Sequence, residues 1–582
     1  MPASITQWWQ PSGLANAGAK NGFFYEILGN GEQLKYAGPS KNTAEWGGRS
    51  NGIVRVDGSA FTINEFWQRQ PRKILVTDTE VVLSLFEGSE QLKNTTGGIF
   101  GGQGFEPLRN GEAIWDRFGV YRGSASDQNV VADTEALPAL NVTQRNKLIE
   151  SFVIAPQVLH AASASPRRVE INQLLSKYTQ WQGTSWNANF ADPMPGREWP
   201  GDSNKTTLFS QQVRSSYTPE DKPLVYNWRD WGDVFWSNSE PSSNHYDWTR
   251  SALKFYLKTG DKEALRWGLA SARHRASTDH IFTNAGKKDW IGFQRYEIGD
   301  HGDNQSFVAR PSHTWVEGLY LAYNITKDRW FKEVADESAE AAWRYWGGTQ
   351  SAKLDACGET RIATWPMLTL LTSYRETKKE KYFTKAKELM QSIVDQEQQS
   401  GGEGYIKSKC DWGNTNNAQP LMEAYSIKPI SLFYETAKIR GKKEWRPEFT
   451  AYILRMANWV ATPYPSGPKT ENNGYSYLWC KSNTTCVQPS DPKGEVAYQI
   501  MFADLFTLAH SLDSRGISSA TKMSWYDLAI EEFKGSVNNA AQPLGIVGFL
   551  TNQYPGTESK ILGWMQQFND RTARLLASKK GY

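Results

Sequence analysis

The feature that most constrains this chain is a run of helix–turn–helix units that begins after residue 240. DWTRSALKFYLKTGDKEALRWGLASARHRAS places apolar residues at helical spacing on both sides of Thr259-Gly260-Asp261, where Gly suits a left-handed C-cap and Asp the next N-cap. The unit recurs in HTWVEGLYLAYNITKDRWFKEVADESAEAAWRYW, turning at Thr326 to Asp328, and in IATWPMLTLLTSYRETKKEKYFTKAKELMQSIVDQ, turning near Thr377. IKPISLFYETAKIRGKKEWRPEFTAYILRMANWV turns at Gly441, VAYQIMFADLFTLAHSLDSRG leads to SWYDLAIEEFKGSV, and KILGWMQQFNDRTARLLAS ends the series. Hairpins repeating at roughly 50 to 70 residues fold as a superhelix or as a closed α/α toroid. The polar, Gly-rich stretches SGGEGYIKSKCDWGNTNNAQP and ENNGYSYLWCKSNTTC precede the first helix of a pair, which gathers them at one mouth and favours the toroid.

Upstream the texture is β. GIVRVDG and SAFTINEFW alternate around Asp57-Gly58, ILVTDTEVVLSLF alternates again, and GGIFGGQG breaks the pattern. The predicted fold class is therefore multidomain α+β, an N-terminal β-sandwich region followed by a C-terminal (α/α) toroid of helical hairpins. Residues 1–125 are assigned to the sandwich, 126–225 to a β-rich or mixed bridging region, and 226–582 to the toroid as catalytic domain. The bridge contains two helix-like segments, NKLIESFVIAPQVLHAA and EINQLLSKYTQW, before a Gly-, Pro-, Asn- and Ser-rich loop from Gly183 to Pro223.

Over 582 residues, 65 basic and 62 acidic side chains leave a net charge of +3, without the long basic block that tracks a phosphate backbone. No apolar run is long enough to cross a bilayer. Nucleic acid and membrane are thus poor partners, whereas a mild positive balance tolerates an acidic polysaccharide or oligosaccharide. The chain carries 25 tryptophans beside 25 tyrosines and 25 phenylalanines. Most such rings pack cores, and the rest suit stacking on the C–H faces of sugars.

Tyr226 to Tyr320 concentrates the chemistry. It holds five of the seven histidines, His245, His274, His280, His301 and His313, together with Arg229, Asp230, Asp233, Arg310 and Glu317 among aromatic residues. A helix opening at Ser312 places His313, Glu317 and Tyr320 at i, i+4 and i+7, on one face toward the cavity. In the helix opening near Asn244, His245 shares a side with Trp248 and Thr249, and Tyr246 shares another with Arg250. There is no GxSxG elbow and no phosphate-binding Gly loop with Lys and Ser/Thr. No metal-ligand spacing is recognised either, so no cofactor is expected, with a structural calcium as the one addition left open.

Two sugar-directed chemistries remain. β-Elimination next to a uronic acid requires neutralisation of the carboxylate, a base for the α proton and an acid for the leaving oxygen. His245, Tyr246, His301, Arg310 and His313 are the catalytic candidates, with Trp228, Arg229, Asp233, Asn304, Trp315 and Glu317 for substrate binding. Glycoside hydrolysis requires two flanking carboxylates, for which Asp233 and Glu317 lead, ahead of Asp230 and Asp303. A non-catalytic glycan-binding protein is the third reading.

The blocks FWQRQPRKI at Phe66 to Ile74, WRDWGD, NHYDW with YLKTGD, SARH, DHGD and SHTWVEGLYLAYNITKD run in order between about residues 20 and 345. In this the chain resembles the exo-rhamnogalacturonan lyases of polysaccharide lyase family twenty-six. The resemblance implies an N-terminal β-sandwich, a central β-region and a C-terminal toroid, with exo-acting cleavage of a uronate-containing glycan. It also implies a cavity role for the His245, His301 and His313 blocks. The chain departs from that pattern where GGQGFEPLRNGEAIWDRFGVYRG replaces a Gly-Glu motif followed by a histidine; no histidine occurs before His160.

Cys480 and Cys486 bracket the short loop CKSNTTC, which reads as a local disulfide, and Cys357 and Cys410 can pair across a longer one. With six Asn-x-Ser/Thr sequons, at Asn94, Asn141, Asn204, Asn304, Asn324 and Asn483, the expectation is a secreted or periplasmic protein whose signal peptide has been removed.

Overall fold

The computed structural model describes residues 24–27, 33–36, 53–56, 59–64, 73–76, 81–84, 118–122, 137–138, 140–155, 165–190, 232, 235–237, 240–241, 246–283, 290–295, 309, 311–347, 360–407, 417–470, 474–475, 479–480, 492–538, 567 and 570–578. Most of them are helical.

The N-terminal strands are short. β1 (Phe24–Ile27) pairs with β2 (Gln33–Tyr36), and β3 (Ile53–Val56) pairs with β4 (Ser59–Ile63) in the register Val56 to Ser59 that the Asp57-Gly58 turn predicts. β5 (Lys73–Val76) pairs with β6 (Val81–Ser84), and β7 (Phe118–Arg122) adds to β4. The pairings are antiparallel and yield two-stranded sheets and one three-stranded sheet. The expected β-sandwich is therefore corrected. A sandwich needs two sheets burying facing sides, but β7 alternates exposed and half-buried residues, with Phe118 66% and Val120 54% exposed, and among the described residues no second sheet covers it.

Among the described residues two helices precede the hairpins. α1 (Val142–Ser151) opens with a capping box between Asn141 and Gln144, and α2 (Pro166–Phe190) follows. The hairpins then form as α3 (Trp248–Thr259) with α4 (Lys262–Ser277), α5 (Glu317–Thr326) with α6 (Arg329–Gly347), and α7 (Arg361–Thr377) with α8 (Glu380–Gln399). α9 (Pro420–Ile439) pairs with α10 (Pro447–Ala461), α11 (Pro492–Leu512) with α12 (Trp525–Asn538), and α13 (Asp570–Ala577) comes last.

Three of the turns share one device. Thr259, Thr326 and Thr377 each donate a hydroxyl to the carbonyl four residues back, at 2.7–2.8 Å. Each also accepts an N–H from two residues ahead, at 3.1–3.3 Å. Between them Gly260, Lys327 and Lys378 take left-handed φ near +60 to +80° and cap the first helix of each pair.

The first helices of the pairs neighbour one another in the order α3, α5, α7, α9, α11, α13. Asp570 of α13 closes the ring by binding Arg250 and Lys254 of α3 at 2.9 and 2.8 Å. The outer partner of α13 comes from the other end of the chain: in α2, Arg168 donates to Leu576 O at 3.1 Å, Tyr178 packs on Phe533, and Lys258 of α3 lies over the Tyr178 ring. The inner helices α5, α7 and α9 are buried nearly all round, as central helices must be.

Every short turn leaves an inner helix at its C-terminal end, and the long connections return to the N-terminal ends. The C-terminal end is covered by residues 138 and 140–155. Pro138 O accepts from Tyr256 Oη at 3.2 Å, Ser151 O from Arg375 at 2.6 Å and Ile154 O from Arg574 at 3.0 Å, while Phe152, Ile154 and Ala155 are buried. The mouth is thus the N-terminal end, where the sequence places the loops. Among the described residues no helix is long and apolar enough to cross a membrane.

Candidate functional site at the N-terminal end of the ring

The site is built in two layers. The outer layer is aromatic and centred on Trp365 of α7, which is fully buried. His313 meets it edge to face at a centroid distance of 4.6 Å, as do Tyr425 of α9 at 5.1 Å and Tyr246 at 5.9 Å, and Trp315 lies tilted against it at 5.0 Å. The half-buried Arg361, one turn earlier in α7, lies over the same ring at 5.7 Å. The Tyr246 and Tyr425 hydroxyls approach to 3.4 Å. Burial pushes the Tyr425 phenol well above its ordinary pKa, so it is a neutral hydroxyl at physiological pH.

Local chemistry fixes these groups. Asp247, in left-handed conformation at φ +52°, accepts the Arg250 N–H at 3.1 Å and the Gly318 N–H at 3.0 Å, and so caps α3 and α5 together. A Cβ on Gly318 would come within 2.3 Å of Asp247 Oδ1 and 2.7 Å of Arg250 N, which explains the glycine in the VEGLY stretch. Burial, with Glu317 nearby, raises the Asp247 pKa. The segment before α5 is held by Gln294, whose Oε1 accepts from Trp315 N at 3.2 Å, and by Thr369, which donates to Thr314 O at 2.6 Å.

The second layer lies about one helical turn deeper and is ionic. Arg250 follows Tyr246 by four residues, Lys428 follows Tyr425 by three and Glu317 follows Trp315 by two. Glu317 pairs with Arg250, its carboxylate 2.9 Å from Nε, and accepts from Lys428, and Lys428 also donates to Gln567 Oε1 at 2.8 Å. Asp570 joins Arg250 to Lys254 and accepts the Ala155 N–H at 2.9 Å. Burial alone would raise the Glu317 and Asp570 pKa values, but Arg250 with Lys428, and Lys254 with Arg250, outweigh it and hold both carboxyls ionised.

Several sequence expectations change here. His313 and Glu317 do not share a helix face: His313 lies in a 3-10 turn, Pro311–His313, and α5 begins at Glu317, because Gln294 and Thr369 take the intervening backbone groups. Tyr320, expected beside them, turns outward and donates to Asp336 of α6 at 2.7 Å. Glu317 is a member of the ion layer, with a carboxyl unsuited to act as a general acid. His274 pairs with Asp279 at 3.2 Å, fully buried. His280 sits between Arg275 and Glu337, and burial pushes its pKa down to about 4, so it is neutral.

Tyr246, His313 and Trp315 are brought together. Trp228, Arg229, Asp230, Asp233, His245, His301, Asp303, Asn304 and Arg310 lie outside the described residues. Sequence reasoning missed Arg361, Trp365, Tyr425, Lys428 and Asp570. Tyr425 and Lys428 had a signal, as polar positions one turn apart in the apolar stretch PLMEAYSIKPISLF. Among the described residues no cluster of three His, Cys, Asp or Glu side chains is arranged to hold a metal ion.

No protein-family model matches the chain, and no curated protein matches it. Among solved structures it is similar to a family GH76 α-1,6-mannanase from Salegentibacter sp. HEL1_6, at 12% identity and a TM-score of 0.38, over 69% of this chain and 99% of that one. An inactive variant of that mannanase in complex with α-1,6-mannotriose aligns at 13% identity and 0.37, with the same coverage of 69% and 99%. A family GH127 β-arabinofuranosidase aligns at 13% identity and 0.35, over 76% of this chain and 61% of that one. Likeness at these scores decides neither the fold nor the activity.

Proposed function

We propose that the chain is a carbohydrate-active enzyme that cleaves a glycan at the N-terminal mouth of the helical ring. The observation that carries this reading is the layer of Tyr246, His313, Trp315, Trp365 and Tyr425, gathered where the long loops return. Aromatic rings with hydroxyl and imidazole groups among them are the residue types that bind sugars and transfer protons on them.

Hydrolysis is the first chemistry to test, and it is the activity named for the solved structures above. Of its two leading carboxylates Asp233 stays a candidate, and Glu317 is withdrawn because Arg250 and Lys428 neutralise it. Its second carboxylate is to be sought elsewhere at the mouth. β-Elimination by an exo-acting lyase on a uronic-acid-containing glycan is the second reading. It is favoured by one observation: the outer layer offers Tyr246, Tyr425, His313 and Arg361, the residue types that elimination employs.

A secreted or periplasmic location is part of the proposal. Cys480 is disulfide-bonded, which suits an oxidising compartment. The test is product analysis on neutral and acidic polysaccharides. Reducing ends without ultraviolet absorbance mean hydrolysis, a new absorbing enoate means elimination, and neither on any glycan refutes the enzyme reading.

A further inference from the structure

Lys428 stands on an inner helix yet bonds Glu317 of α5, although α7 lies between the two helices. A side chain that reaches past its neighbour in this way points toward the ring axis. Its surroundings are graded in openness. Arg250 and Lys254 are 1% exposed at the side chain, Glu317 7% and Asp570 9%, while Lys428 is 15% exposed. Lys428 is therefore the most exposed of these ion-layer side chains, and it follows Tyr425 of the aromatic layer by one turn of α9.

We propose that Lys428 is a substrate-contacting residue at the floor of the glycan site, its ammonium donating to a sugar hydroxyl or ring oxygen while Glu317 and Gln567 hold it in place. Glu317 then acts as a positioning residue, which accounts for an ionised carboxylate so close to the mouth. The inference rests on the glycan-cleaving reading and adds a residue that neither chemistry requires in advance.

Among the described residues the charged groups acting on Lys428 are Arg250 of α3, Asp247 at its N-cap and Glu317 of α5, with Asp570 of α13 behind Arg250. Burial, then Arg250, lower the Lys428 pKa to about 8 against Glu317 and Asp247. Glycan affinity should accordingly fall as pH rises through about 8.

The test has two arms. In the first, the folded protein is acetylated briefly with acetic anhydride, with and without a cleaved oligosaccharide, and lysine occupancy is read by mass spectrometry. Lys428 should label at least fivefold faster than Lys254, and the oligosaccharide should protect it. In the second, K428M and K428R are compared with wild type. K428M should raise KM about 10- to 100-fold, the loss of a charge-assisted hydrogen bond. K428R should restore part of the affinity and remove its decline above pH 8, a change that a merely structural lysine would not produce.

Equal labelling of Lys428 and Lys254, or wild-type KM and pH dependence in K428M, overturns the inference even while cleavage stands. If K428M fails to fold, the labelling arm and K428R decide. Absence of binding and cleavage on every glycan overturns this inference together with the enzyme reading.

Discussion

Replacing Asp570 by Ala removes the link that closes the ring. Its carboxylate bonds Arg250 at 2.9 Å, Lys254 at 2.8 Å and the Ala155 N–H at 2.9 Å. Truncating one member of a buried pair costs about 3–5 kcal/mol, because the partner charges remain buried, and the orphaned N–H adds roughly 1 kcal/mol. Lys254 limits the loss: burial already lowers its pKa, and without Asp570 it sheds its proton more readily. We therefore expect D570A to lose about 4 kcal/mol near pH 7, and less as pH rises. With a urea slope above ~3 kcal/mol per M for a ring of this size, the midpoint falls by about 1 M.

The wild-type sign is also set. The Asp570 pKa is depressed, so its contribution is full above the ordinary aspartate value and is lost as pH falls below it toward the folded value. The assay is urea unfolding followed by tryptophan fluorescence at pH 5, 7 and 9. E388A, which removes an exposed partner of Lys385, serves as the control and should shift stability by less than about 0.5 kcal/mol. A D570A midpoint indistinguishable from that of E388A would show that the ring does not depend on this closure.

Three further outcomes follow from the geometry. G318A should cost about 1–3 kcal/mol in the same unfolding assay, since its methyl meets Asp247 and the α3 backbone. W365L should lose roughly 2–4 kcal/mol and reduce glycan cleavage more than W445L, because Trp365 joins four elements of the mouth whereas Trp445 packs on Phe433, Tyr434 and Phe449 away from it. Burial pushes Glu423 up to about 8, so its contribution is full below about pH 4.5 and lost as pH rises to about 8. E423Q should flatten that window and be the more stable protein at pH 8–9, by on the order of 1–3 kcal/mol.

Much of the ring was legible because its signals are local. Thr-Gly-Asp at 259–261 and the Thr-Lys turns at 326–328 and 377–379 announce where one helix stops and the next begins. The N-terminal hairpin around Asp57-Gly58 was legible for the same reason. The sandwich was not: period-two alternation shows that a strand has two faces, but not that a second sheet exists to cover one, and β7 leaves Phe118 and Val120 in solvent. The ion layer was illegible because its members are distant. Arg250 and Asp570 are 320 positions apart, and Glu317 and Lys428 are 111 apart. Without those partners Glu317 resembles a catalytic carboxylate, and helical spacing alone links it to His313. Only the tertiary bonds of Gln294 and Thr369 reveal that the helix starts later.

The claim that the mouth is the reaction site is tested most directly by turnover of H313N on the glycan the wild type cleaves best. His313 lies in the aromatic layer, 4.6 Å from the Trp365 ring centre, and asparagine keeps a polar group of smaller size there. Loss of an acid–base group typically costs 100-fold or more. The account predicts at least a ~100-fold fall in kcat with the protein still folded and its unfolding midpoint lowered less than in W365L; kcat within twofold of wild type would contradict it.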